Sequence, residues 1–473
     1  AVGNNALLSN TTADNNTAVV YQSLCANTTG INNVALGSQA LDANTTADDN
    51  TAIGYQSMTA NTTGTLNTAV GRHSLFVNTT GICNTAIGLS ALRCNTTASN
   101  NTAVGINASV LNTTGDLNTA MGQCAMYSNT VGDRNVAIGA SALREYNPSS
   151  NQDSYNVAVG QQSQVSGTTV CQNTSVGGLS LRDNTTGTTN TAIGFCALAK
   201  NTNVDCNTAV GAYSMRQNTT GACNTAVGRN SLCNNTTASN NTAIGFCSLF
   251  ANTTGVSNTA VGRTSLSSNT TGVNNVALGN NAMETNTEGD SNVAVGRYAL
   301  YSNTTSNNNT AVGLCALCAN TTGEGTAFGY RALEANTTGV SNTALGLCAL
   351  SDNTTGDNNV GVGKQSLRVN TTANANTAVG TFTLYDNTTG EGNVAVGANA
   401  LENNTTADNN TAVGNLSLCT NTTGASNTAL GKCSLKANTT ASENTAIGQN
   451  SLAANTTGAK NVAIGQASLD ANT

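Results

Sequence analysis

The chain has 473 residues, of which 8% are charged and 3% aromatic, and its formal net charge is −7. Charged residues make up about 25% of typical soluble proteins, so amide and hydroxyl groups must cover most of this surface. The thin net charge argues against a basic groove for nucleic acid, and no apolar run approaches the roughly 20 residues of a membrane helix. We therefore expect neither nucleic-acid binding nor membrane insertion.

A 17-residue repeat organises the sequence. Asn-Thr-Thr recurs every 17 residues from Asn10 to Asn112, and the full unit reads N-T-T-G-x-x-N-T-A-V-G-x-x-S-L-x-x. We number its repeat positions one to seventeen from the first Asn. Position eleven is Gly in 27 of 28 units, with Val20 as the exception, and position seven is Asn in 26 of 27. Self-similarity at a fixed period indicates a repeat architecture, so residues 1–473 are predicted to form a single array of about 28 units.

Two places depart from the period. Four extra residues, including the only proline, fall within residues 145–155 and are predicted to form a loop that bulges from one coil. The following unit has Gly167 where Asn belongs, and one residue is deleted beside Gly325. The chain starts at position nine and stops at position two without an atypical capping repeat, which predicts a window from a longer array.

Repeat positions eight to ten favour a β-strand. Position eight is Thr or Val and position ten is Val, Ile or Leu, with Met121 and Phe328 as variants; β-branched residues suit strands, whereas Gly, Asn and Thr at this density exclude helices. Alternation places positions eight and ten on one side, and Ala at nine with Gly at eleven on a tightly packed other side. We expect positions ten and fifteen to supply the large core side chains. A second strand is predicted from positions fourteen and fifteen, with turns at four to six and twelve to thirteen.

The predicted fold is therefore all-β, a repetitive β-solenoid or β-roll with one 17-residue repeat per coil. Two large apolar side chains per coil make a thin core. Packing three chains together, with Ala and Gly at the contact, would bury more surface. We expect a homotrimeric fibre whose main partner is itself, with end-to-end assembly into a filament as a further option.

The repeated asparagines have two interpretations. The Asn-Thr-Thr triplet, present 22 times, is a glycosylation acceptor pattern, and stacked amides could instead form a structural ladder along the axis. The ladder is favoured because position one stays Asn where the acceptor pattern is lost, as at Asn129, and because position seven is never an acceptor. The ladder prediction covers Asn10, Asn27, Asn44, Asn61 and Asn78 at position one, and Asn16, Asn33, Asn50, Asn67 and Asn84 at position seven; the glycosylation alternative covers Asn10, Asn27, Asn44, Asn61, Asn78, Asn95 and Asn112.

Residues that could carry chemistry are sparse. The 15 cysteines occupy variable positions, and Cys206 and Cys223 lie one unit apart, so they should stack on adjacent coils as a disulfide or as free thiols. Cys315 and Cys318 form an isolated C-x-x-C pair without histidine at zinc spacing. The single histidine, His73, has no acid–base partners in sequence. We expect no enzyme activity, no metal and no cofactor.

The phrases Asn135-Val136-Ala137-Ile138-Gly139 and Asn461-Val462-Ala463-Ile464-Gly465 resemble the head repeats of trimeric autotransporter adhesins. That resemblance implies a left-handed β-roll built as a homotrimer, although the adhesin unit is shorter. The entire 17-residue unit is more similar to repeats in tail-fibre-like proteins of phages and bacteria. This second resemblance covers essentially the whole chain and concerns architecture rather than a ligand.

The resemblances and the inert surface predict a non-catalytic structural shaft of a virion or cell-surface appendage. Such a shaft would be extracellular and would support an attachment tip, with a receptor bound through flanking regions. The alternative is a binding face for ice or carbohydrate, suggested by the threonine rows at positions two, three and eight. Adjacent threonines should point to opposite faces, and position eight is expected to be buried, so this alternative ranks second.

Overall fold

The structure is a computed structural model that describes residues 1–472. The chain forms two compact units, Ala1–Asn240 and Asn241–Thr473. Over the described range there is no helix, and short strands separated by turns account for all regular structure. The all-β prediction is confirmed.

The first unit contains thirteen strands, one for each repeat, and each covers repeat positions eight to ten. They are β1 (Thr17–Val19), β2 (Val34–Leu36), β3 (Thr51–Ile53), β4 (Thr68–Val70), β5 (Thr85–Ile87), β6 (Thr102–Val104), β7 (Thr119–Met121), β8 (Val136–Ile138), β9 (Val157–Val159), β10 (Thr174–Val176), β11 (Thr191–Ile193), β12 (Thr208–Val210) and β13 (Thr225–Val227).

The described part of the second unit contains fourteen strands built in the same way. They are β14 (Thr242–Ile244), β15 (Thr259–Val261), β16 (Val276–Leu278), β17 (Val293–Val295), β18 (Thr310–Val312), β19 (Gly325–Phe328), β20 (Asn342–Leu345), β21 (Val360–Val362), β22 (Thr377–Val379), β23 (Val394–Val396), β24 (Thr411–Val413), β25 (Thr428–Leu430), β26 (Thr445–Ile447) and β27 (Val462–Ile464).

Within each unit, every strand pairs in parallel with the strand one repeat later. Thr17 lies beside Val34 and Ala18 beside Ala35 in β1 and β2, and the same register repeats from coil to coil. Parallel pairing at this period makes each repeat one coil of a β-solenoid, as predicted. At the deletion, Gly325 takes the place of the position-seven Asn and pairs with Asn342, which lengthens β19 and β20 by one residue each.

The alternation along each strand is confirmed, but the predicted inward side is wrong. The position-nine alanines, such as Ala18 and Ala86, are fully buried. Position ten faces solvent instead: Leu36 is 44% exposed and Ile87 is 40% exposed. The interior of a coil is narrow and is already occupied by a leucine and two asparagines, so only a methyl group fits opposite them on the strand.

The predicted second strand at positions fourteen and fifteen is also absent from the described residues, which form turns there. Positions thirteen and fifteen adopt positive φ, for example His73 at 57° and Leu75 at 48°. This left-handed conformation costs a non-glycine residue roughly 1–2 kcal/mol. It turns the position-fifteen side chain inward, and Leu75, like the equivalent Leu24 and Leu41, is fully buried. The core role predicted for position fifteen is therefore confirmed.

The nearly invariant glycine at position eleven has a steric cause. At Gly37 φ is 149°, and a Cβ there would lie 2.3 Å from the carbonyl oxygen of Gly54 in the next coil. The equivalent contact recurs from Gly54 to Gly71, at 2.6 Å. The close packing predicted on this side is confirmed, and its partner is the backbone of the neighbouring coil.

The four extra residues leave the strand pairing intact. Val136 of β8 pairs with Val157 of β9, although 21 residues separate them. Between the strands the chain turns Tyr146 inward, where it is fully buried, and leaves Tyr155 49% exposed. The insertion therefore combines an internal aromatic residue with a surface segment.

Candidate functional site

Two features could carry function: an internal asparagine ladder and the outward surface of the strands. At position one, the Nδ2 of Asn44 donates to Oδ1 of Asn27 at 2.9 Å and to the carbonyl of Ala47 at 3.1 Å. Asn61 and Asn78 repeat this pattern one and two coils later. Each amide therefore bonds both to its own turn and to the coil before it.

Position seven forms a second ladder with different bonds. Oδ1 of Asn33 accepts the backbone N–H of Asn50 at 3.0 Å, while Nδ2 of Asn33 donates to the carbonyl of Ala47 at 2.8 Å. Asn50 makes the same bonds to Asn67 and Gly64. These side chains satisfy buried backbone groups that no strand partner reaches, which is why a side chain with both a donor and an acceptor recurs here.

The predicted ladder residues therefore form the predicted hydrogen-bonded rows. Glycosylation at position one meets an obstacle in this arrangement, because Asn27 and Asn78 are fully buried and their Nδ2 groups are engaged. A glycan on Nδ2 would displace these bonds. The same engagement holds at Asn95 and Asn112, so a modified chain could not pack in this way at those coils.

The strand surface is the second feature. We call the outward side chains of positions eight and ten the strand face. In-register pairing puts equivalent side chains of successive coils about 4.8 Å apart, so each unit displays a row of Thr or Val beside a row of aliphatic residues. Ile193 and Ile244 of the aliphatic row are both 39% exposed. A contiguous exposed apolar row of this kind is typical of an interaction surface.

The side of the strand face that precedes each strand is acidic. Positions five and six together carry 12 carboxylates and only two cations, Arg134 and Lys460, and Asp153 of the insertion pairs beside Asp133 of position five. We call these carboxylates the acidic margin. They are Asp14, Asp48, Asp49, Asp116, Asp133, Asp153 and Asp205 in the first unit, and Asp290, Glu324, Asp357, Glu391, Asp408 and Glu443 in the second.

The side that follows each strand is basic. Positions twelve and thirteen carry seven cations and no carboxylate, and all seven side chains are exposed. We call them the basic margin. They are Arg72 and Arg229 in the first unit, and Arg263, Arg297, Arg331, Lys364 and Lys432 in the second.

The cysteines differ in accessibility. Cys206 and Cys223 lie on adjacent coils, both exposed and not joined by a disulfide bond, and Sγ of Cys206 lies 3.4 Å from the Thr189 hydroxyl. Burial, with neighbouring Cys315 as the next cause, raises the pKa of the Cys318 thiol to about 12. A thiol that stays protonated at neutral pH is a poor nucleophile, so we expect Cys318 to be unreactive.

The remaining candidate groups form no reactive cluster. The His73 ring lies between those of Tyr55 and Phe76, tilted to both, and contacts Gln56; burial together with Arg72 and Arg93 lowers the His73 pKa. Within residues 1–472, no group of three or more His, Cys, Asp or Glu side chains is arranged to hold a metal ion. The described residues also contain no helix with the length and apolar character to cross a bilayer.

Sequence reasoning found the ladder but missed the strand face and its margins. It placed position ten in the core. The available signal was the segregation of charge by repeat position, which is visible once all carboxylates and cations are assigned to positions. The chain matches no model of a known protein family, and a search of curated proteins gives no match either.

Proposed function

We propose that this chain is a non-catalytic structural segment that assembles laterally with copies of itself into the shaft of a virion or cell-surface fibre. Strong support comes from the strand face, an apolar row repeated at every coil of both units. Burying Ile87 or Ile193 against a second copy would remove apolar surface from water, worth about 25 cal/mol per Å². Each coil has few large internal side chains, so lateral burial adds a substantial share of the apolar contact.

Three copies are the number that we propose. The resemblance to the head repeats of trimeric adhesins implies this number, and a closed cyclic assembly would shield every strand face from water. The neutral amide and hydroxyl groups elsewhere on the coils suit the outer surface of such a shaft. An extracellular position and an attachment tip carried by flanking regions belong to the same proposal.

Sedimentation velocity of matched variants tests the assembly. Ile87→Glu with Ile193→Glu places charges in the strand face, and we expect association to weaken on the order of 100-fold because an unpaired charge would be buried. Thr80→Glu with Thr186→Glu adds the same charge to the same two coils at exposed position three and should leave association unchanged. A monomeric parent protein, or equal behaviour of the two variants, would contradict the proposal.

The appendage role has a separate test in the flanking reading frame. We expect it to encode an attachment tip, a chaperone segment or an anchor. Enzyme domains on both sides, without any of these, would count heavily against a surface shaft while leaving self-assembly intact.

A second candidate function is a binding face for ice or carbohydrate. The observation that favours it is the partial exposure of position eight, where Thr51 and Thr68 lie on the strand face, contrary to the burial expected from sequence. Rows of Thr and Val at coil spacing could order water. A thermal-hysteresis assay and a glycan array test this function, and activity that disappears in the Ile87→Glu, Ile193→Glu variant but persists in the Thr80→Glu, Thr186→Glu control would favour it.

A further inference from the structure

We propose that the assembled copies run parallel, with the basic margin of each copy against the acidic margin of the next. This inference rests on the proposed self-assembly through the strand face and adds a direction to it. The partner is a second copy of this chain.

The repeat fixes where the two margins lie relative to each strand. Positions five and six precede each strand, and positions twelve and thirteen follow it, so the margins lie on opposite sides of the strand face. The second unit shows this clearly, with Asp357 and Lys364 flanking β21 in one coil. The order is the same in every coil because the strands are parallel and in register.

Folding of the single chain does not require these charges. Oδ1 of Asp48 accepts the backbone N–H of Ile31 at 2.8 Å, but the neutral Ser99 and Asn307 accept the equivalent N–H groups in their coils. Ile31 itself stands at position five of its coil and offers no side-chain acceptor, so neither an acceptor nor a negative charge is required there. Position twelve likewise accommodates Tyr55 and Phe195. The separation of carboxylates on one margin from cations on the other therefore needs a cause outside the single coil.

The symmetry of the assembly decides which margins meet. When identical copies are arranged in parallel around an axis along the fibre, with their strand faces inward, each seam joins the leading side of one copy to the trailing side of the next. Every seam then pairs a basic margin with an acidic margin. An antiparallel pair brings acidic to acidic and basic to basic, and like charges placed opposite one another disfavour that arrangement.

The charges are also held in place before any partner arrives. Lys364 Nζ lies 5.4 Å from the ring centre of Phe382, and the Arg297 guanidinium lies 4.7 Å from that of Tyr298. Such contacts favour one position of a cationic side chain. On the other margin, Oδ1 of Asp357 accepts the Val340 N–H at 2.8 Å. Both margins thus present positioned charges.

Zero-length carbodiimide cross-linking tests the direction. An assembled mixture of ¹⁴N- and ¹⁵N-labelled full chain is coupled at low salt, and links between copies are identified by mass spectrometry from their mixed labels. We expect Lys364 to couple to Asp357, and Lys432 to couple to Asp408 or Glu443, because the lysine stem reaches only nearby coils. Lys364→Arg is the matched control, because it keeps the charge and the assembly but loses the Lys364 link.

Each result bears on the proposal. Links that keep the N-to-C order support it, as does a fall in their yield at 1 M salt, where the Debye length is only about 3 Å. Links in reversed order, or an assembled sample with no links between the margins, would overturn the parallel arrangement while leaving self-assembly intact. A sample that stays monomeric at low salt overturns both.

Discussion

The regular coils of the first unit and the two coils around the insertion fill the coil interior at position one in different ways. In the regular coils, such as those that contain Asn61 and Asn78, each position-one amide bonds to its equivalent one coil away. In the insertion coil, Tyr146 stands at position one, and Gly167 stands there in the next coil. The ladder is interrupted, and Asn184 retains only the bond to its own turn and the bond from the following coil.

Further changes accompany the interruption. Gln164 replaces the position-fifteen leucine and Ser175 replaces the position-nine alanine, and both are fully buried. The hydroxyl of Ser163 lies 2.7 Å from that of Ser175 and 2.9 Å from that of Ser180, while Nε2 of Gln164 has no partner among the described residues. A repeat residue is thus stabilised by its equivalents in the neighbouring coils, so the loss of one is followed by local repacking.

Removing Tyr146 should have the largest effect on local stability, because this residue fills the interior of the insertion coil, where the repeat is most irregular. Tyr146→Ala empties a fully buried site, so we expect the surrounding coils to lose about 3–5 kcal/mol against local opening. Native-state hydrogen exchange of the β8 and β9 amides measures this directly. Tyr155→Ala, at an exposed position of the same loop, should change less than about 0.5 kcal/mol; equal losses in both variants would show that Tyr146 is not internal.

Removing a ladder amide should have the next largest effect, and the effect should depend on the region. Asn78→Ala loses bonds to Asn61 and Gly81 and the bond from Asn95, leaving buried partners unsatisfied. We expect a loss of roughly 3–4 kcal/mol, because each unsatisfied group costs about 1–3 kcal/mol.

Asn184 provides the matched comparison for this change. It has no partner in the preceding coil, so Asn184→Ala should cost about 1 kcal/mol less than Asn78→Ala in the same hydrogen-exchange assay. Equal costs would mean that bonds between coils add nothing to the ladder.

Restoring the repeat residue should be stabilising. Gln164→Leu replaces a buried amide, whose Nε2 has no partner and whose Oε1 accepts a long bond of 3.4 Å from Ser175, by the leucine found at position fifteen of regular coils. We expect a gain of about 1–2 kcal/mol in resistance to local opening. Thermal unfolding and hydrogen exchange both detect it. Gln161→Leu, at a nearby exposed position, is the control and should have almost no effect; a destabilised Gln164→Leu protein would show that the polar cluster is favourable as it stands.

The smallest expected effect is a pH dependence confined to the insertion. Burial raises the pKa of Tyr146, with bonds to neighbouring polar groups opposing the shift. A raised pKa in the folded state means that this stability is fully present below the ordinary tyrosine pKa of about 10 and is lost as the pH rises through the folded value. Limited proteolysis between pH 9 and 11 should cut the loop earlier as pH rises, and Tyr146→Phe should remove this dependence. Unchanged pH dependence in Tyr146→Phe would contradict it.

The sequence predicted the features in which one residue type recurs because its structural role requires it. Asn at positions one and seven, Gly at eleven and Leu at fifteen were each assigned the correct part in the coil. Period-two alternation identified the two sides of the strand but not which side is inward, because the general burial of large apolar residues points to position ten when the narrowness of the coil is unknown. The left-handed conformation of Leu75 was also unpredictable, since leucine disfavours it.

The site was harder to predict than the fold. The strand face can be recognised only when it is known that position nine, and not position ten, faces the interior. The acidic and basic margins can be interpreted only once the strand face between them is known. The internal role of Tyr146 depends on how the insertion closes, which the period does not specify. The roles of residues that differ from the repeat could therefore be assigned only from the structure, whereas the roles of residues that conform to the repeat could be predicted from the sequence.

A cryo-electron-microscopy cross-section of the assembled protein tests the central claim most directly. We predict three copies in parallel, with Ile87 and Ile193 turned toward the common axis and the coil surfaces away from the strand face outside. A single copy in each cross-section, or an assembly with these isoleucines on its outer surface, would contradict the account.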